Sequence, residues 1–272
     1  MMFDYLKYIR EWNFPHIWCS GCGDGIVLKA LIRSIDKLGI DRDDAVMVSG
    51  IGCSSRTPGY IDINTLHTTH GRALAFATGV KLANPKLHVI VVMGDGDATA
   101  IGGNHYIHAA RRNIDLTVLL YNNYIYGMTG GQVSPTTPRG MRASTAPFGN
   151  QEPPFNIAEL AKAAGASFVA RGDVYYVQKL EKIITRALEK KGFSLVEILS
   201  PCPTAYGRRN RMGHPVKMME WIRDNTVPVA KYAKMTPEER EGKVCTGVIV
   251  DLDLPEYTEE YERLIEKVKA EK

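Results

Sequence analysis

Residues 87–94 read LHVIVVMG, an unbroken run of five Val, Ile and Met residues closed by a glycine. A strand with no polar alternation is buried on both faces, and strands of that kind belong to parallel sheets covered by helices on either side. The flanking segments supply the alternation such a sheet needs. Val27, Leu31, Ile35 and Leu38 fall at helical spacing in 25–40, with Gly39 as a stop. A short apolar strand is expected at 45–52, a helix at 71–84, a second helix at about 102–112 and a strand at 115–122. Residues 129–155 are rich in proline and glycine and read as loop. Beyond them come a helix (NIAELAKAAG), a strand (SFVARG), a helix (VYYVQKLEKIITRALEKKG) and a strand (FSLVEILSP). The expected fold is α/β: a doubly wound, mostly parallel sheet with helices on both faces over 1–200. Residues 201–272 form a C-terminal extension, polar and basic at first and helical at its end.

The chain is long enough, at 272 residues with 44% hydrophobic residues, to bury a large core without covalent staples. A net charge of +4 with no polybasic block gives no reason to expect nucleic acid or a membrane surface as partner. No run approaches the roughly 18 apolar residues of a membrane span. The first residues, MMFDYLKYIREWNFPHIW, carry charges where a signal peptide has its apolar core, so a cytoplasmic location is expected. In a reducing compartment five cysteines read as metal ligands or ordinary thiols rather than as a disulfide framework.

The most informative segment begins where the apolar strand ends. Gly94, Asp95, Gly96 and Asp97 form GDGD between a strand and a helix, where glycines and free backbone N–H groups let a phosphate come close. Asp95 sits at the C-terminal end of its strand, where open α/β sheets bind ligands. Asn123 follows 28 residues later, after one helix and the next strand. Adjacent parallel strands bring the two to one edge, and two hard oxygen ligands with a diphosphate suit octahedral Mg²⁺. GDG alone also reads as a plain turn, but GDG followed at this interval by NN resembles the thiamine diphosphate-binding motif. In enzymes with that motif the Asp, the second Asn and a carbonyl two residues on hold the metal. The matching positions are Asp95, Asn123 and the carbonyl of Ile125.

The cysteines pose a separate question. Cys19 and Cys22 stand three apart in WCSGCGDG, Cys53 lies in SGIGCSS and Cys202 in LSPCPTAYGRRN. All occupy glycine- or proline-bearing loops around the expected sheet, whereas Cys245 lies in the extension. Four converging thiolates suit Zn²⁺ or an iron–sulfur cluster, and spacing does not separate these from unrelated buried thiols. A thioredoxin-like pair would leave Cys53 and Cys202 unexplained.

Taken together, WCSGCGDG, GIGCSS, HTTHGRALAFATGVKLANP, GDGDATAIGGNH, YNNYIYGMTGGQVSPTTP and CPTAYGRRNRMG span residues 18 to about 213. In that order they resemble the β subunits of 2-oxoacid:ferredoxin oxidoreductases, most nearly the 2-oxoglutarate type. The resemblance implies CoA-dependent oxidative decarboxylation of 2-oxoglutarate to succinyl-CoA, or the reverse reductive carboxylation, with electrons passed to ferredoxin. It implies thiamine diphosphate, Mg²⁺ and a [4Fe–4S] cluster held by Cys19, Cys22, Cys53 and Cys202. The cofactor-binding set it suggests is Gly52, Cys53, Ser54, His70, Gly94, Asp95, Gly96, Asp97, Asn123, Ile125, Gly127, Met128 and Thr129. His70, before a helix N-terminus, is the one catalytic residue expected in this chain; by itself it also reads as a capping or core histidine. The glutamate that promotes thiamine ylide formation would come from a partner α subunit, with γ and δ ferredoxin-like subunits as possible further partners. The cationic cluster at 206–215 is open to a substrate carboxylate, CoA phosphates, a partner subunit or plain solvent. Two alternatives stand beside this reading: the same chemistry on pyruvate, branched-chain or aryl 2-oxoacids, and a non-catalytic binding protein stabilised by zinc.

Overall fold

The computed structural model describes residues 3–271. Ten strands form in chain order: β1 Ala45–Ser49, β2 Asn64–His67, β3 His88–Gly94, β4 Thr117–Asn122, β5 Ile125–Tyr126, β6 Gln132–Val133, β7 Phe168–Asp173, β8 Ser194–Leu199, β9 Thr226–Pro228 and β10 Val244–Asp251. Eight of them make one sheet in the order β2-β1-β3-β4-β8-β7-β10-β9, and β5 and β6 make a separate antiparallel ribbon. From β2 to β7 every pairing is parallel. The doubly wound expectation therefore holds.

Alternate residues of the central strands enter two cores. On one face Ile90, Val92, Leu119 and Val196 pack with Leu31 and Ile35 of helix Asp24–Leu38 and with Leu180 and Ile184 of helix Val177–Glu189. On the other, Val89, Val91, Met93, Val118 and Leu120 pack under helices Ala73–Ala83, Gly103–Arg111 and Ile157–Ala164. Two covered faces explain why residues 89–93 show no polar alternation.

The segment after residue 200 contributes to the sheet. β10 pairs antiparallel with β7 through a register shift at Val248/Val250, and β9 pairs parallel with β10. Neither the half-exposed edge strand β2 nor β10, partly exposed along its length, announces itself in the sequence, because a strand that is not covered on both faces has no need of a continuous apolar run. The chain ends in helix Tyr257–Ala270. Among the described residues no helix is long and apolar enough to cross a membrane.

Strand order also fixes where a ligand can bind. From β1 the chain goes to β2 on one side and, after a helix, to β3 on the other. The loops leaving the C-terminal ends of β1 and β3 therefore part company and leave a crevice between them. Leu119 is fully buried at the centre of the sheet. Leu119→Ala should cost about 3 kcal/mol, seen as a lowered unfolding midpoint of the purified protein with its partner, while the exposed Leu264→Ala should change it little.

Candidate functional site

The crevice is a real cavity of about 260 Å³. Its walls come from three turns. Ile51, Gly52, Cys53 and Ser54 follow β1; Gly94, Asp95, Gly96 and Asp97 follow β3; Asn123, Ile125, Tyr126, Gly127, Met128 and Thr129 follow β4. His70 and Tyr121 complete the lining. Every residue expected to touch the cofactor faces this one cavity. Ile51, Tyr121 and Tyr126 join them without a signal in the sequence, since apolar and aromatic residues beside a motif read as core.

Close packing here depends on missing side chains. A Cβ on Gly96 would sit 2.3 Å from the Tyr126 ring, whose hydroxyl donates to the Gly96 carbonyl at 3.2 Å. A Cβ on Gly50 would lie 1.9 Å from Asp97 Oδ2. The helix after GDGD opens with a π-type turn, Asp97–Ile101, a widened geometry often found at functional sites.

Asp95 is buried, and burial pushes its carboxyl up to about 6 against the pull of the Ser134 and Thr136 hydroxyls. Ser134 Oγ donates to Asp95 Oδ2 at 2.6 Å, and Thr136 Oγ1 donates to the same oxygen. Both hydroxyls lie in the proline-rich segment that reads as plain loop, so nothing in the sequence singled them out. Asn123 Oδ1 accepts from Ile125 N at 3.1 Å, which closes a tight turn around Tyr124, a residue in the left-handed region at φ 63°. That turn brings Ile125 into the same wall as Asn123. Asp95, Asn123 and Ile125, residues that carry oxygen atoms of the hard type, thus line one cavity.

Asp97 lies deeper. Its Oδ1 accepts from Gly71 N at 2.7 Å and Ile51 N at 3.3 Å, and His70 Nδ1 approaches it to 2.6 Å without hydrogen-bond alignment. Burial raises the Asp97 carboxyl, opposed first by the Gly71 N–H and then by His70. His70 is thereby held beside the buried Asp97 carboxyl. Thr129 donates its hydroxyl to Gln132 Oε1 at 2.7 Å, so the backbone is what it presents to a ligand.

The cysteines divide as their loops do. Trp18 Nε1 donates to the Cys53 carbonyl at 2.8 Å, tying the loop of Cys19 and Cys22 to that of Cys53. Ser200 Oγ donates to Asp24 Oδ1 at 2.8 Å, tying the loop of Cys202 to the start of the first long helix. A Cβ on Gly127 would meet both Cys53 Sγ and Cys202 Sγ at 3.5 Å. Burial, then the Asp24 carboxylate, pushes the Cys22 thiol far up; the same two causes push Cys53 up to about 12. Cys202 is raised by burial and eased by the N–H groups of Tyr206 and Ala205. These are the reverse of the lowered pKa values of activated redox thiols. Cys19 and Cys202 act on each other and on Cys53, whereas Cys245 stands apart beside Arg171. Among the described residues no three His, Cys, Asp or Glu side chains close tightly around a single ion. Cys53 lines the cavity and also stands beside Cys202, so the two groups share a wall.

The sequence matches the family model of the thiamine pyrophosphate enzyme C-terminal TPP binding domain over residues 50–198. It is 54% identical over 263 residues to the 2-oxoglutarate synthase subunit KorB of Methanothermobacter marburgensis, covering 97% of this chain and 92% of that one. Against the subunit of the same name from Methanocaldococcus jannaschii the identity is 51%, covering 98% of each chain. A solved structure of 2-oxoglutarate:ferredoxin oxidoreductase from Magnetococcus marinus, with 2-oxoglutarate, coenzyme A and succinyl-CoA bound, superposes with a TM-score of 0.87. Its sequence is 34% identical, and the match covers 98% of this chain and 91% of that one.

Gly96→Ala should force the Tyr126 ring into the cavity or away from it. Affinity for thiamine diphosphate, measured calorimetrically on the assembled protein, is expected to fall by at least roughly tenfold, whereas Gly103→Ala, where a Cβ meets nothing within 4 Å, should leave it unchanged.

Proposed function

We propose, because the chain belongs to the β subunits of the 2-oxoacid:ferredoxin oxidoreductases, that it is the cofactor-bearing half of an enzyme acting on 2-oxoglutarate. The reaction converts 2-oxoglutarate and CoA to succinyl-CoA and CO₂, releasing two electrons to ferredoxin, and runs in reverse as reductive carboxylation. The observation that carries this reading is the shared wall, in which one residue, Cys53, faces the diphosphate cavity and the other thiols at once.

The donor sets fit the two groups the reaction needs. Asp95, Asn123 and the Ile125 carbonyl are hard oxygen ligands suited to Mg²⁺ with a diphosphate. Cys19, Cys22, Cys53 and Cys202 are soft ligands of the type a [4Fe–4S] cluster takes, and the one-electron chemistry of the family favours that cluster over zinc, which has no redox chemistry. When bound, thiamine diphosphate supplies the electron sink for decarboxylation and the cluster a one-electron relay.

The chain's own residues do the rest. Gly94 and Gly96 let the diphosphate approach the backbone, and the oxygen donors orient its metal. Ile51, Tyr121 and Tyr126 wall off water, which strengthens every electrostatic contact inside. His70, held beside Asp97, presents its imidazole to the cavity. The carboxylate that promotes ylide formation comes in this reading from the partner α subunit. Ferredoxin-like γ and δ subunits would extend the electron path.

The test is anaerobic purification of the chain co-expressed with its α subunit. The complex should be brown, bleach on reduction, and hold iron, sulfide, magnesium and thiamine diphosphate. Cys202→Ala should lose the colour and Cys245→Ala should keep it; equal behaviour would refute the ligand set. In an oxoacid panel kcat/KM for 2-oxoglutarate should exceed that for pyruvate by at least roughly tenfold, and a preference for pyruvate, branched-chain or aryl 2-oxoacids would overturn the substrate choice.

A further inference from the structure

Behind the two hydroxyls on Asp95 the polar contacts continue through the sheet. Thr136 Oγ1 lies 3.0 Å from Asn122 Oδ1, and Asn122 Nδ2 donates to Glu197 Oε1 at 2.8 Å. Glu197 Oε2 accepts from Arg171 Nε at 2.8 Å. Arg171 in turn donates to Asn156 Oδ1 at 2.8 Å and to the Cys245 carbonyl of β10 at 3.1 Å. Arg171, Glu197, Asn122, Thr136 and Asp95 are all buried. The run crosses the sheet from β10 through β7, β8 and β4 to the end of β3.

Its hydrogen-bond directions are fixed from one end. A carboxylate only accepts, so Glu197 compels Asn122 to turn its NH₂ group toward it. The Asn122 oxygen then faces Thr136 and accepts the Tyr124 N–H at 3.2 Å. A reversed amide would set oxygen against carboxylate and NH₂ against N–H. Thr136 Oγ1 has one proton and two acceptors within reach, the Asn122 oxygen and Asp95 Oδ2, so Asn122 fixes where the hydroxyl stands against the carboxylate. Asp95 Oδ2 is thereby held by Ser134 and Thr136 in a residue that lines the cavity. The Tyr124 N–H bond also pins the left-handed residue in the turn that presents Asn123 and Ile125.

We propose that Glu197, anchored by Arg171, is a positioning residue for the divalent cation. It sets the Asn122 amide, and Asn122 sets both the Asp95 carboxylate, through Thr136, and the turn carrying Asn123 and the Ile125 carbonyl. The inference rests on the reading of Asp95, Asn123 and Ile125 as the cation's donors.

The test uses the assembled complex, stripped with chelator, reloaded with thiamine diphosphate and titrated with Mn²⁺ while free ion is followed by electron paramagnetic resonance. Thr136→Val and Asn122→Leu are each expected to weaken Mn²⁺ binding roughly tenfold or more, and Thr136→Ser to stay within about twofold of the unmodified complex. Glu197→Gln should give a loss like that of Asn122→Leu, and the Thr136→Val/Glu197→Gln pair should be no worse than the weaker-binding single variant. Because Glu197→Gln unpairs a buried arginine and can hinder folding, Asn122→Leu probes the same link with the ion pair intact. Visible spectra and unfolding midpoints identify the folded variants. Folded Asn122→Leu with unaltered Mn²⁺ affinity, or losses that simply add, would overturn the relay. An unmodified complex that takes up no Mn²⁺ alongside the cofactor would bring down the cation-site reading and the relay with it; unaltered variants of a complex that does bind Mn²⁺ bring down the relay alone.

Discussion

A carboxylate buried at the end of a parallel strand is the constraint around which this molecule is arranged. Asp95 is 3% exposed, and burying a charge is costly unless hydrogen bonds or a cation compensate it. The fold answers from two directions. Ser134 and Thr136 reach in from the loop beyond β6, and the loops after β1, β3 and β4 leave a space on the other side in which a cation can stand. The switch in strand order between β1 and β3 provides that space, and the missing side chain at Gly96 lets Tyr126 pack against its wall.

The second group of ligands uses the same architecture by a different route. Its four thiols come from three loops that are far apart in sequence, held in register by the Trp18–Cys53 and Ser200–Asp24 hydrogen bonds. Each loop emerges at the C-terminal edge of the sheet or at the start of the helix beside it. One edge of one sheet therefore gathers residues with hard oxygen atoms on one side and soft sulfur atoms on the other.

Much of this was legible in the residues because it is local. The apolar run of β3 dictated burial on both faces, and GDGD with the later NN placed a diphosphate at strand ends. What was not legible is long-range. Ser134 and Thr136 look like any polar residues of a proline-rich loop, and only the folded chain brings them 39 and 41 positions back to Asp95. Glu197 reads as an oddity in an apolar strand until Arg171 and Asn122 are found on the strands either side. β10 was hidden because a partly exposed strand with a bulge has neither the run nor the strict alternation that marks a strand. The sequence of the extension signals its terminal helix but not that its middle closes the sheet.

Gly127 has no side chain, and the atom it lacks would stand 3.5 Å from two sulfurs and 3.9 Å from the Asn123 amide. At this point little more than backbone stands between those sulfurs and the Asn123 wall of the cavity. Coulomb forces across so short a span of low-dielectric protein are strong. A change of charge at either sulfur therefore acts directly on the wall that carries Asn123.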